Sequence, residues 1–259
     1  MFNAFTRQAC SAPGLRSADR PIHFNRNRPP GMEVAVAHDV DHLMKATTPD
    51  TAAHVHANRL VTAVAAGEAG AAEVARVVVG EYHAHTAEVA AFATLAARHP
   101  QRPVAGYFLD LARLVLDCEP PLLACAHALG RSEDEIRGER PPTGMRAFGS
   151  LMGRLATQAG PATAACAIRA DLLLWCGVCS ALTDALRALD PRLPEPVTDY
   201  FELFRNAPDR FVDGAREVAA FGLAHGESPA TVEYACAQVE PVLAGFWSAA
   251  LEPTALGSR

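Results

Sequence analysis

Glu81 and His85 stand one helical turn apart, and Glu88 follows nearly one further turn along. On a helix this spacing brings ionisable groups to one side. A carboxylate there could orient an imidazole, move a proton at a substrate atom, or share a metal ion with it. Val77 and Val78 fall on the same side and turn it inward, where a carboxylate must be paired or protonated. Glu81 is therefore the residue expected to serve as acid or base, with Tyr82 beside it shaping the pocket.

Trp175-Cys176-Gly177-Val178-Cys179 has the spacing of a redox dithiol, in which one thiolate attacks and the second resolves. Here the motif falls in the middle of an apolar helical stretch. Neither thiol gains a helix N-terminus, so both read as small buried hydrophobes, with Cys176 kept as a candidate pocket thiol. Glu119 suits either a ligand position or the acidic start of a helix after Pro120-Pro121. Glu240 precedes Pro241, whose kink could aim it inward. Phe148 and Tyr200 complete the candidate substrate-binding residues. His54-x-His56 and His83-x-His85 each set two imidazoles roughly 200° apart on a helix, so one pair cannot share a metal ion.

The elements that must position these groups read as helices throughout. Hydrophobic residues make up 50% of the 259, yet Ala supplies much of that share, and β-branched runs are scarce. Pro49-Asp50 opens a helix predicted to end at Gly67. Further helices are predicted over 70–98, 104–117, 122–129, 143–158, 161–189, 196–206, 208–225 and 228–251, with a break or kink at Pro120-Pro121. Ser132 with Glu135 reads as a capping box, and Gly130 as the residue that ends the preceding helix. No linker within 33–252 is long enough to divide domains. Residues 1–32 carry five arginines and one aspartate, a balance of +4 that leaves −10 on the remainder of a chain at −6. They read as a flexible basic tail, and 253–259 as a flexible end. The acidic remainder argues against nucleic acid, no stretch reaches ~18 uninterrupted apolar residues, and seven cysteines without a secretory signal point to reduced thiols in the cytoplasm.

Several segments, in order, resemble the TenA/PqqC group of the heme-oxygenase-like superfamily. Gly80-Glu81-Tyr82 is similar to that group's Gln-Asp-Tyr. The stretch EPPLLACAHALGRSEDEI (119–136) is similar to the superfamily's Glu-led helix ending in Leu-Gly. ADLLLWCGVCSAL (170–182) is similar to a helix that usually reads Leu-Leu-Pro-Cys, and Phe246-Trp247 to the closing Phe-Trp. The resemblance implies an all-α, single-domain helical bundle with a small-molecule site in its core. It places Glu81 at the early acid and Cys176 at the family cysteine. Leu243 stands where a late Glu is expected, and Ser180 where a Tyr often follows the cysteine, so thiaminase-type hydrolysis lacks a proton-transfer partner worth ~10²–10⁴ in rate. The superfamily's diiron oxidases are also similar, through Glu81, His85 and Glu119 as ligands. However, Glu119-Pro120-Pro121-Leu122 replaces their Glu-x-x-His, and their late His-x3-Asp-x2-His pattern has no counterpart near 200–213, where Tyr200, Asn206, Asp209 and Asp213 stand.

The expectation is an enzyme of bacterial small-molecule biosynthesis with no tightly bound cofactor. Glu81 and Cys176 would be catalytic, and Tyr82, Glu119, Phe148, Tyr200 and Glu240 would contact substrate. Its partners would be that substrate and further copies of the chain, with neither nucleic acid nor membrane. Two other readings stand beside it: a non-heme iron oxidase or oxygenase, and an inactive relative serving a partner protein.

Overall fold

A computed structural model describes residues 39–252. Helical residues 39–46 (α1) are followed by α2 (Thr51–His56), α3 (Arg59–Ala65), α4 (Ala71–Arg98), α5 (Val104–Ala128), α6 (Glu133–Gly138) and α7 (Thr143–Gln158). After these come α8 (Pro161–Ala188), α9 (Glu195–Glu202), α10 (Asp209–Ala224), α11 (Pro229–Ala237) and α12 (Val239–Ala249). The expected all-α bundle is present, with no strand among the described residues. The basic tail and the C-terminal residues 253–259 lie outside the described residues.

Helix α8 is the hub. It is long and apolar enough to cross a membrane by length and composition, but two-thirds of its most apolar window is buried inside the protein. It packs against α2, α3, α9, α10, α11 and α12, while α4 packs against α5 and α7, and α7 closes onto α12. Cross-chain polar contacts fix the ends of these helices. The Glu227 carboxylate accepts hydrogen bonds from the Ala162 and Thr163 amides at 2.7 and 3.0 Å, placing negative charge on the otherwise unsatisfied N-terminus of α8. Arg76 on α4 donates to the Ala250 carbonyl at 2.6 Å, tying the start of α4 to the end of α12.

Three predicted boundaries differ from the structure. The run predicted from Pro49 to Gly67 is two helices, because Asn58 caps a new start by accepting from the Val61 amide at 3.0 Å. The run predicted over 228–251 is also two helices, which meet at Gln238. By contrast, α5 continues through Pro120 and Pro121, where a break or kink was expected. The carbonyls those prolines cannot serve belong to Leu116 and Asp117, both exposed residues, so water can take them. The Ser132–Glu135 capping box and the left-handed glycines Gly67 and Gly130 are as expected.

Close helix approach rests on missing side chains. A Cβ on Gly222 of α10 would lie 2.6 Å from the Ala162 amide nitrogen, and one on Gly144 of α7 would lie 2.7 Å from the Gly245 carbonyl oxygen. Both obstacles are backbone and cannot swing away. Gly153, also on α7, has nothing within 4 Å of its would-be Cβ. Gly222→Ala is therefore expected to destabilise by about 1–3 kcal/mol. Gly153→Ala should stabilise by about 0.5–1 kcal/mol, because alanine is the better helix former and nothing obstructs it. Denaturant unfolding of the two variants checks the pair, and equal shifts would contradict the packing described.

Candidate active site

The central cavity lies where α4, α5, α7, α8 and α12 converge, and Phe204 in the turn after α9 completes its wall. Its volume is about 60 Å³, enough for several waters. Its wall is largely apolar and carries five aromatic rings, those of Phe92, Phe148, Trp175, Phe204 and Phe246. Trp175 stacks on Trp247 with centroids 4.4 Å apart and meets Phe204 and Phe246 edge-on, so the ring cluster is locked by its own packing.

Four ionisable side chains break this apolar lining: Glu81, His85 and Glu88 from α4, and Asp171 from α8. The predicted α4 face is thus the one that turns inward. Glu81 is buried, and its Oε1 accepts a hydrogen bond from the Tyr200 hydroxyl at 3.1 Å. His85 Nε2 lies 3.2 Å from the same oxygen. Burial pulls the His85 pKa down, but the hydrogen bond and charge of Glu81, with the charges of Glu88 and Glu119, outweigh it and leave the imidazole above its ordinary value. Burial pushes the Tyr200 phenol well up, with Glu81 adding to it, so Tyr200 stays a hydroxyl donor.

The other two carboxyls are held as acids. Burial, followed by the charge of Glu81, lifts Asp171 to about 8. Glu88 is half-buried as a residue, but its carboxyl is enclosed. Burial and then Asp171 push it well above the carboxylate range, against an opposing pull from His85. Two buried polar atoms at this site have no hydrogen-bond partner in the protein: Asp171 Oδ1 and His85 Nδ1. Native interiors rarely leave such atoms unpaired, so each is a position for a ligand atom or water.

The remaining candidates are distributed around this centre. Phe148 lines the cavity, and Tyr200 reaches it through Glu81. Tyr82 points away from it, its hydroxyl accepting from Arg137 Nε at 3.1 Å. Glu119 does not line the cavity and acts on it only through its charge at His85. Glu240 is exposed and faces His54, at 3.6 Å, so the expected inward kink does not bring it to the site. Cys176 is buried off the cavity wall. Burial, then Asp171 and Cys118, push its thiol up to about 12, so it is neither a thiolate at neutral pH nor in contact with the cavity. Among the described residues no group of three or more His, Cys, Asp and Glu side chains is arranged to hold a metal ion, and Glu119 does not join Glu81 and His85 on the cavity wall. His54 is buried, as is His85.

Asp171 and Trp175 are the site residues that the spacing argument missed. The signal was available: Asp171 and Arg169 are the only charges between Pro161 and Leu182 in an otherwise apolar helix, and a lone carboxyl there needs a reason. Where the resemblance places a Glu on the last helix, α12 brings Leu243 to the cavity wall, and Asp171 supplies a carboxyl from α8 instead.

No family model and no curated protein matches the sequence. Solved structures do match. A TenA homologue from P. horikoshii OT3 superposes with a TM-score of 0.61 at 12% identity, covering 85% of this chain and 97% of that one. A TenA homologue from Pseudomonas syringae pv. tomato str. DC3000 gives 0.61 at 14% identity, covering 88% and 98%. At these identities it is the architecture that is shared, and over nearly the full length of both neighbours this chain has the TenA-like, heme-oxygenase-like helical fold.

Proposed function

We propose that the chain is an enzyme that binds a small, flat organic substrate in the central cavity and catalyses proton transfer on it, without a tightly held redox cofactor. The observation that carries this reading is the pair of unpartnered polar atoms, Asp171 Oδ1 and His85 Nδ1, on one aromatic-walled cavity. A substrate ring would lie among Phe148, Trp175 and Phe246. Asp171, held as a carboxylic acid, would donate a proton to a basic atom of the substrate. Glu81 and Tyr200 fix the imidazole by gripping its Nε2 side, which leaves Nδ1 to receive or return a proton. The TenA-like fold supports the reading, since helical bundles commonly build such sites between facing helices.

Small nitrogen bases of the cavity's size, such as imidazole, 4-methylimidazole and an aminopyrimidine, should raise the melting temperature of the wild-type chain and shift that of Asp171→Asn far less. A panel that stabilises both proteins equally, or neither, would count against the cavity as the substrate site.

Glu81→Gln keeps the volume of the side chain and removes its charge. The His85 imidazole, followed by NMR, should then titrate at lower pH, because the groups that raised it are led by Glu81. Activity on the true substrate should fall by ~10² or more with little change in melting temperature.

Asp171 also makes a claim about stability. Its folded pKa of about 8 lies above the ~3.9 of an unfolded aspartate. Across that window the native state holds a proton that the unfolded state has released, so stability falls as pH rises toward 8. Glu88 and His85, both raised, act in the same direction. Asp171→Asn should therefore be more stable than wild type at pH 8, with the advantage shrinking toward pH 4. An advantage that is constant with pH would mean that Asp171 is ionised in the native protein.

A further inference from the structure

A second cavity of about 500 Å³ opens between α4, α6 and α7, on the far side of α4 from the acidic group. Its lining includes Gly80, His83, Arg137, Glu139, Arg140 and Arg146. Three guanidinium groups border this concavity in a chain with a net charge of −6, and two of them, Arg140 and Arg146, have no carboxylate partner among the described residues. The nearby carboxylates are already engaged. Glu133 and Asp134 pair with Arg137, Glu135 closes the cap at Ser132, and Glu139 pairs with Arg131. Arg140 has neither a hydrogen bond nor an ion pair among the described residues, and the side chain of Arg146 touches only the Thr143 hydroxyl, at 2.9 Å. His83 Nε2 lies 2.8 Å from the Glu139 carbonyl; because a carbonyl only accepts, Nε2 carries the hydrogen and the ring is held in place.

The two cavities lie on opposite sides of α4, separated by that helix and by Met145 and Phe246 packed against Gly80. Ala84 lines both, with His83 on the arginine side and His85 on the acidic side of the same helix. On α7, Met145 lines the outer cavity and Phe148, one turn later, lines the inner one. Small residues dominate the outer floor: Gly80, Ala84, Gly138 and Gly149.

We propose that this arginine-lined cleft binds the phosphate group of a small organic phosphate through Arg140 and Arg146, at a site separate from the inner cavity. Several guanidinium groups spread around a wide concavity suit a multiply charged tetrahedral anion better than a single carboxylate, which one forked arginine satisfies.

The test uses inorganic pyrophosphate as the probe, with calorimetry on the full chain at low salt. Wild type should bind it saturably, at least ten-fold more tightly than malonate, and binding should weaken at physiological salt. The double substitution Arg140→Gln, Arg146→Gln changes two exposed side chains and should leave the melting temperature unchanged while weakening pyrophosphate binding ten-fold or more. Asp171→Asn, which tests the inner cavity, should leave pyrophosphate binding unaltered, so failure of one site is distinguishable from failure of the other. Absence of saturable binding to wild type, equal affinity in the double variant, or equal affinity for malonate would each overturn the phosphate assignment.

Discussion

Three carboxyls share one small interior space with a single imidazole. In a medium of low polarity they cannot all carry charge, because each ion would lose its water and repel the others. Glu81 takes the hydrogen bonds of Tyr200 and His85. Burial is the largest cause that holds Asp171 and Glu88 above the carboxylate range. Helices α4 and α8, which carry the four groups, must therefore be held with little freedom, and the capping of α8 by Glu227 and the clasp of Arg76 on Ala250 supply that restraint.

Much of this was legible in the residues. The helical class follows from composition and punctuation, and α4 and α7 were placed almost to the residue because glycine and proline bracket them, Gly70 and Pro100 around α4 and Pro142 and Gly160 around α7. Glu81 and His85 were found because their spacing repeats the helical turn on an apolar face. What escaped has a common cause: it depends on which helices meet. Asp171 has no partner within its own helix, so spacing along the chain could not reveal it, although its isolation in an apolar run could. Cys176 matched a motif yet lies off the cavity wall, since motif position does not fix which way a helix is turned. The prolines at 120 and 121 could not be read locally either, because their cost depends on whether the freed carbonyls meet water.

Leu243 on α12 and Asp171 on α8 line one cavity wall, in a bundle with the same architecture as its structural neighbours. Sites on helical scaffolds are permissive in this sense: several helices reach the centre, and each can supply the group.

The stacked pair Trp175 and Trp247 contains both tryptophans of the chain. Trp175 lines the cavity, and Trp247 lies fully buried behind it. The protein's long-wavelength ultraviolet fluorescence therefore arises from one place, the wall of the candidate site, with no background from indoles elsewhere. A molecule entering the cavity would press on half of an excitonically coupled pair, and both emission and near-ultraviolet dichroism would register its arrival without any added label.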